Sequence, residues 1–210
     1  MENVLLTLKN EKIVAVIRTT TAQKAIAAVK ACIEGNIKII EITFTIPNIE
    51  EVIKTIQTTY QKQTDIIIGA GTVINEELAQ QAIAWGCQFI VGPNFNLAIS
   101  KLCQAKKVLY IPGAMTITEM TNILANGWKL VKLFPGSCFS PDYIKAIKAP
   151  LPNIEIMPTG GVDEHNLQIW LKNGCLACGI GGNLINPIEK DDYLAVVNKA
   201  KEYVRLAQNI

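Results

Sequence analysis

The chain has one histidine in 210 residues, His165, and that scarcity excludes a good deal of chemistry. A metal centre built on several imidazoles is ruled out. A serine–histidine–aspartate triad would rest on this single ring, which follows a Gly-Gly turn where a solvated position is expected. An excess of one charge is also missing. Twenty basic against 18 acidic residues leave +2, with no basic stripe and no basic patch interleaved with aromatics, so nucleic acid is not an expected partner. Long apolar runs are absent too. Those present are strand-sized, as in Ile13-Val-Ala-Val-Ile17, well under the ~18 residues that suggest a membrane span. The opening Met1-Glu-Asn-Val-Leu-Leu lacks the basic region and cleavage site of a secretory leader. The expectation is no membrane association and a cytoplasmic location.

A cysteine framework is likewise absent. The six cysteines, at 32, 87, 103, 138, 175 and 178, fall inside apolar segments. One CxxC exists, Cys175-Leu-Ala-Cys178, without the second pair or neighbouring histidine that zinc binding would require. Free, buried thiols in a reducing compartment are expected. Neither a metal nor an organic cofactor is expected.

What the chain does have is rhythm. Eight runs rich in Val and Ile, at 13–18, 39–44, 66–73, 89–94, 108–113, 130–135, 154–160 and 177–182, alternate with helix-like stretches. Ile49, Val52, Ile53, Ile56 and Tyr60 trace one apolar face at 3.6 spacing. Asn75 reads as an N-cap with Gly86 past the helix end, Asp163 and Gly174 bracket another helix, and Tyr193 to Ala207 carries the last. Continuous apolar strands imply that both sheet faces are covered. Eight such units predict a compact α/β fold, a (β/α)8 TIM barrel, as one domain over residues 1–210. The alternative, an open doubly wound sheet, calls for a glycine-rich fingerprint after its first strand, and Arg18-Thr-Thr-Thr21 is not one.

In such barrels chemistry sits at the C-terminal ends of the strands. Three ionisable residues stand late in apolar strands: Lys132 in Leu-Val-Lys-Leu-Phe-Pro, Glu41 in Ile-Ile-Glu-Ile-Thr-Phe, and Arg18. Lys38 and Lys129 stand at strand starts, on the solvated rim. A structural ion pair between Lys132 and Glu41 is one reading. The functional reading is that an apolar setting favours the neutral, nucleophilic amine, able to form an imine with a carbonyl substrate. Glu41, the one carboxylate well inside a strand, would then move protons. Two glycine turns, Pro158-Thr-Gly-Gly-Val-Asp163 and Gly179-Ile-Gly-Gly-Asn183, follow the last two strands, where such barrels usually hold phosphate.

Taken with Glu41-Ile-Thr-Phe-Thr45, Gly69-Ala-Gly-Thr-Val73, Phe89-Ile-Val-Gly-Pro-Asn94, Ile111-Pro-Gly-Ala-Met-Thr116 and Val131-Lys-Leu-Phe-Pro135, the sequence resembles the 2-keto-3-deoxy-6-phosphogluconate (KDPG) aldolases. That family includes bifunctional enzymes acting on 4-hydroxy-2-oxoglutarate (KHG). The likeness runs over essentially the whole chain. It implies a metal-free class I aldolase that reversibly splits a keto-acid sugar phosphate into pyruvate and glyceraldehyde 3-phosphate. By this likeness Lys132 carries the imine and Glu41 the protons. Thr72 contacts the pyruvate carboxylate, Pro93 and Phe134 wall the pocket, and Gly160 and Gly161 hold the phosphate, with Thr159 beside them. It also implies a homotrimer. Many members have arginine four residues after the glutamate, where this chain has Thr45, leaving the carboxylate to Arg18, Thr72 or backbone donors. The second loop often has serine after its glycine pair, where Gly182 is followed by Asn183. An asparagine amide can still donate. The tail also resembles the 6-phosphogalactonate aldolases. Two other readings stay open: a sugar-phosphate decarboxylase or isomerase barrel, and a non-catalytic sugar-phosphate binding barrel.

Overall fold

The apolar runs become nine short strands in the computed structural model, which describes residues 1–210. They are β1 (Ile13–Ile17), β2 (Ile39–Thr43), β3 (Ile67–Gly71), β4 (Phe89–Val91), β5 (Leu109–Ile111), β6 (Gly113–Ala114), β7 (Leu130–Leu133), β8 (Glu155–Pro158) and β9 (Cys178–Ile180). Ten helices accompany them: α1 (Glu2–Glu11), α2 (Ala22–Glu34), α3 (Ile49–Tyr60), α4 (Glu76–Ala84), α5 (Leu97–Lys106), α6 (Ile117–Ala125), α7 (Tyr143–Lys148), α8 (Leu167–Lys172), α9 (Gly182–Ile185) and α10 (Tyr193–Gln208).

All strand pairs are parallel. One sheet runs β5-β4-β3-β2-β1-β9 and the other β6-β7-β8. The sheets abut at two seams. Between β5 and β6 lies only Pro112, whose missing N–H interrupts the ladder. At the other seam a parallel bridge between Thr159 and Gly179 links the end of β8 to β9. Nearly every strand residue is buried, because helices cover one face and the strands' own side chains fill the other. One contiguous cluster of 64 buried apolar residues runs from Val4 to Ala207.

The helix caps follow the sequence closely. Asn75 Oδ1 accepts the Leu78 N–H at 2.9 Å, and Gly86 adopts φ 87° just past α4. The apolar face of α3 is buried through Ile49, Val52, Ile53 and Ile56. Asp163 departs from its expected place. Its carboxylate caps the N–H groups of His165 and Asn166, and α8 begins only at Leu167. His165 is exposed, as expected of a lone histidine there.

Two expectations need correction. The N-terminal helix α1 was not anticipated. It buries Val4 and Leu8, and Glu11 pairs with Lys38 at the start of β2 at 3.2 Å. Its first turn borders a crevice with Leu109 and Leu130, the first residues of β5 and β7. It therefore lies across the N-terminal ends of the strands. Cys138 is exposed, because it sits in a short 3-10 turn after β7 rather than in an element. The other five thiols are buried and unbridged, and burial pushes those of Cys32, Cys87, Cys103 and Cys175 up to about 12. No helix is long and apolar enough to cross a membrane.

Candidate active site

Glu41 and Lys132 come from different sheets and meet in the interior. On β2, Glu41 is level with Val16 of β1 and Gly69 of β3. On β7, Lys132 is level with Gly113 of β6 and Met157 of β8. Their charged ends approach to 3.6 Å, with side chains 7% and 1% exposed for Lys132 and Glu41. That separation is an ion pair but too long for a hydrogen bond. Both Glu41 oxygens lack a hydrogen-bond partner. A buried carboxylate left so bare is costly, and such groups mark places where something else supplies the partners. The Lys132 ammonium also lies 4.9 Å from the centre of the Phe134 ring.

Gly71, at the end of β3, makes room for this arrangement. A Cβ built there would collide with Glu41 Oε1. The next residue, Thr72, has φ 58°, a left-handed backbone that β-branched residues rarely adopt. Holding it costs on the order of 1–3 kcal/mol, and such strain concentrates at functional sites. Thr72 Oγ1 accepts from Arg18 Nη2 at 3.5 Å. Arg18 itself lies one residue beyond β1 and is exposed.

A cleft of about 350 Å³ opens over Lys132. Arg18, Phe134, Thr159, Gly160, Gly161, Gly182 and Asn183 share it, so the structure gathers these sequence-selected residues with the amine. The Thr159 hydroxyl is buried there without a partner. Glu41 lies beneath the amine. Pro93 is not on the cleft. Its carbonyl packs against Gly113, so it backs the strand next to Lys132. Thr45 is not a substitute for arginine, because its proton is committed. Thr43 Oγ1 donates to the Ile17 carbonyl at 2.9 Å, so Thr45 must be the donor in the 2.8 Å Thr43–Thr45 contact.

Sequence reading missed Val16 on the cleft wall, and named Val162, Gly179 and Gly181 only as members of the two glycine turns. The backbone N–H groups of Gly160, Gly161, Val162 and Gly181 find no acceptor within the protein. Together they form a concave set of donors of the kind that binds an anionic group. Gly160 and Gly161 take φ 90° and 79°, which glycine alone adopts freely. The Gly-Gly spacing pointed to the loop, but which amides stay free depends on where the carbonyls go. No group of three or more His, Cys, Asp or Glu side chains converges in a way that could hold a metal ion.

The family model for KDPG and KHG aldolase matches residues 4–199. The chain belongs to the KDPG and KHG aldolase family. Among its relatives in that family, the 2-dehydro-3-deoxy-6-phosphogalactonate aldolase of Escherichia coli K12 is 36% identical over 173 residues, 82% of this chain and 83% of that one. The 2-dehydro-3-deoxy-phosphogluconate aldolase of Treponema pallidum is 33% identical over 174 residues, 82% of this chain and 81% of its own. The solved native KDPGal structure superposes with a TM-score of 0.86 at 32% identity and covers 94% of each chain. A KDPG and KHG aldolase family member is a lyase.

Proposed function

We propose that this chain is a class I aldolase, independent of metal, that cleaves 2-dehydro-3-deoxy-6-phosphogluconate to pyruvate and glyceraldehyde 3-phosphate. The observation that carries the reading is the buried Lys132 amine, 3.6 Å from a Glu41 carboxylate with no hydrogen-bond partner, at the floor of the cleft. Lys132 attacks the keto carbon of the substrate, and Glu41 passes the protons that turn the carbinolamine into an imine and water. The protonated imine draws in the electron pair of the C3–C4 bond as that bond breaks. Glu41 takes the proton of the C4 hydroxyl, the aldehyde leaves, and an enamine remains. Proton return to C3 gives the pyruvyl imine, which water hydrolyses to pyruvate and free lysine. General acid–base help of this kind is worth about 10²–10⁴-fold.

Arg18 and Thr72 are assigned to the carboxylate, Phe134 to the pocket wall, and Thr159 to a sugar hydroxyl. The free amides of the two glycine loops take the phosphate, with Gly182 at their edge. A second reading, the 6-phosphogalactonate substrate, is favoured by the 36% identity to the Escherichia coli enzyme. KHG cleavage to pyruvate and glyoxylate is a further candidate activity. The fold reading that goes with this function is one (β/α)8 barrel over residues 1–210. In it β5 and β6 count as a single strand and the Thr159–Gly179 bridge closes the ring.

We also propose that the protein acts as a homotrimer. Ile74, Leu97, Met115 and Ile117 are 54%, 50%, 39% and 38% exposed where the chain leaves β3, β4 and β6, with Leu97 and Ile117 opening α5 and α6, apolar surface suited to a second copy of the chain.

Borohydride added with pyruvate is expected to fix a reduced pyruvyl adduct on Lys132, read by peptide mass. Absence of mass at that lysine would sink the imine mechanism. Rates of pyruvate release from the gluconate phosphate, the galactonate phosphate and KHG then choose between substrates.

A further inference from the structure

Three carbonyls around the loop after β8 are held by hydrogen bonds rather than left free. The Thr159 carbonyl accepts the Gly136 N–H at 2.8 Å. The Gly161 carbonyl accepts from Asn166 Nδ2 at 2.8 Å, and the Val162 carbonyl from Asn183 Nδ2 at 2.8 Å. Asn166 uses its other end as well, since its Oδ1 accepts the Asp163 N–H at 3.0 Å. Both amide orientations are fixed by chemistry. A backbone N–H only donates and a carbonyl only accepts, so neither side chain can be flipped without losing its bonds.

In a trans peptide the C=O and the following N–H point in opposite directions. Drawing the Gly161 carbonyl towards Asn166 therefore turns the Val162 N–H the other way, to the cleft that Val162 lines. The Thr159 carbonyl does the same for the Gly160 N–H. Released, a Gly-Gly segment could rotate a carbonyl into the cleft, where its partial negative charge would repel an anion. Asn166 does not line the cleft, and nothing about catalysis marks it in the sequence.

We infer that Asn166 is a positioning residue that presets the anion-binding amides by holding the Gly161 carbonyl away from the cleft. Asn183 is the second point of the same clamp. It ties the loop after β8 to the loop after β9, and its Nδ2 bond goes to Val162 rather than into the cleft. This inference rests on the reading that the free amides take the substrate phosphate.

The test compares 2-dehydro-3-deoxy-6-phosphogluconate with the same acid lacking its phosphate. Asn166→Asp keeps the acceptor for Asp163 but turns the donor facing Gly161 into an acceptor. It is expected to raise KM for the phosphorylated substrate about tenfold, the scale of one lost hydrogen bond. Its kcat should stay within about twofold and its kcat/KM for the unphosphorylated acid should be unchanged. Inhibition by inorganic phosphate should weaken by the same factor. Asn166→Ala is expected to show the same split, which separates lost positioning from the added charge of aspartate. Asn183→Ser, too short to reach Val162 yet still a hydroxyl donor, should also raise KM for the phosphorylated substrate. If it behaves as wild type, Asn183 is a direct ligand and its part in the clamp is overturned. Equal losses on both substrates with a lowered Tm, or no change at all in the Asn166 variants, overturn the role given to Asn166. A wild-type enzyme with no preference for the phosphorylated acid would instead overturn the phosphate reading itself, and the clamp with it.

Discussion

Gly71 shows how far a single missing side chain can control this site. A methyl group there would occupy the space of the Glu41 carboxylate. Gly71→Ala is therefore expected to push Glu41 off its 3.6 Å approach to Lys132. We expect kcat for cleavage to fall by about 10²-fold, the lower range for a lost acid–base group. Pyruvate should still form its borohydride-trapped adduct, at a reduced rate. Wild-type kcat in a folded Gly71→Ala variant would show that the carboxylate need not stand where it does. At this scale the sequence was informative about chemistry and silent about contact. Lys132 and Glu41 stand out because charge in an apolar strand is rare. Which glycine clears space for them, and that the Pro93 carbonyl lies against Gly113, depend on pairing between distant strands. The same holds for Asn166, whose bond to Gly161 is made by a loop whose path no periodicity describes.

Among the elements, α6 has the most complete cap. Thr116 Oγ1 accepts the Glu119 N–H, and the Glu119 carboxylate accepts from the Met115 N–H, the Thr116 N–H and the Thr116 hydroxyl. The Met115 backbone bond is the largest cause holding the Glu119 carboxyl below its ordinary range, with the Thr116 hydroxyl and N–H next. Thr116→Ala is expected to cost about 1 kcal/mol of stability. In a chain of this size that lowers Tm by about 2–4 °C. The sign of the pH effect follows from the lowered value. The contribution of Glu119 is fully present above the ordinary carboxylate pKa of about 4.3 and is lost as pH falls through its lower folded value. The Tm difference between wild type and Glu119→Gln should therefore shrink below about pH 4. A constant gap from pH 7 to pH 3 would contradict it. The Thr116-x-x-Glu119 spacing was open to reading in the sequence, as Asn75 was for α4. By contrast, α1 is hard to find by pattern. Its apolar face amounts to little more than Val4, Leu5 and Leu8, and Leu6 beside them points to solvent.

At the scale of the whole molecule, the alternation of strand and helix was legible because strands covered on both faces have to be apolar throughout. The eight runs in the sequence correspond to β1 to β9, with Pro112 dividing the fifth into β5 and β6. Assembly was not legible in this way, since periodicity reports only what one chain buries from itself. The exposed Ile74, Leu97, Met115 and Ile117 now give the proposed trimer a location. Sedimentation is expected to give about three times the chain mass of 23.0 kDa. The double variant Leu97→Glu, Ile117→Glu should sediment as a single chain. A monomeric wild type, or a trimer indifferent to both changes, would remove that surface from consideration.

The placing of α1 across the N-terminal ends of the strands has a consequence for traffic. In the proposed barrel it covers that end, so the interior opens at the cleft, where the glycine loops stand beside the opening and Lys132 lies at the floor. In the proposed reaction the two products then leave by the same door and cannot do so in either order. The pyruvyl half is still bonded to the floor when the C3–C4 bond breaks, so the phosphate-bearing aldehyde at the threshold has to go first. In the synthetic direction the order reverses: pyruvate must be seated before the aldehyde closes the way behind it.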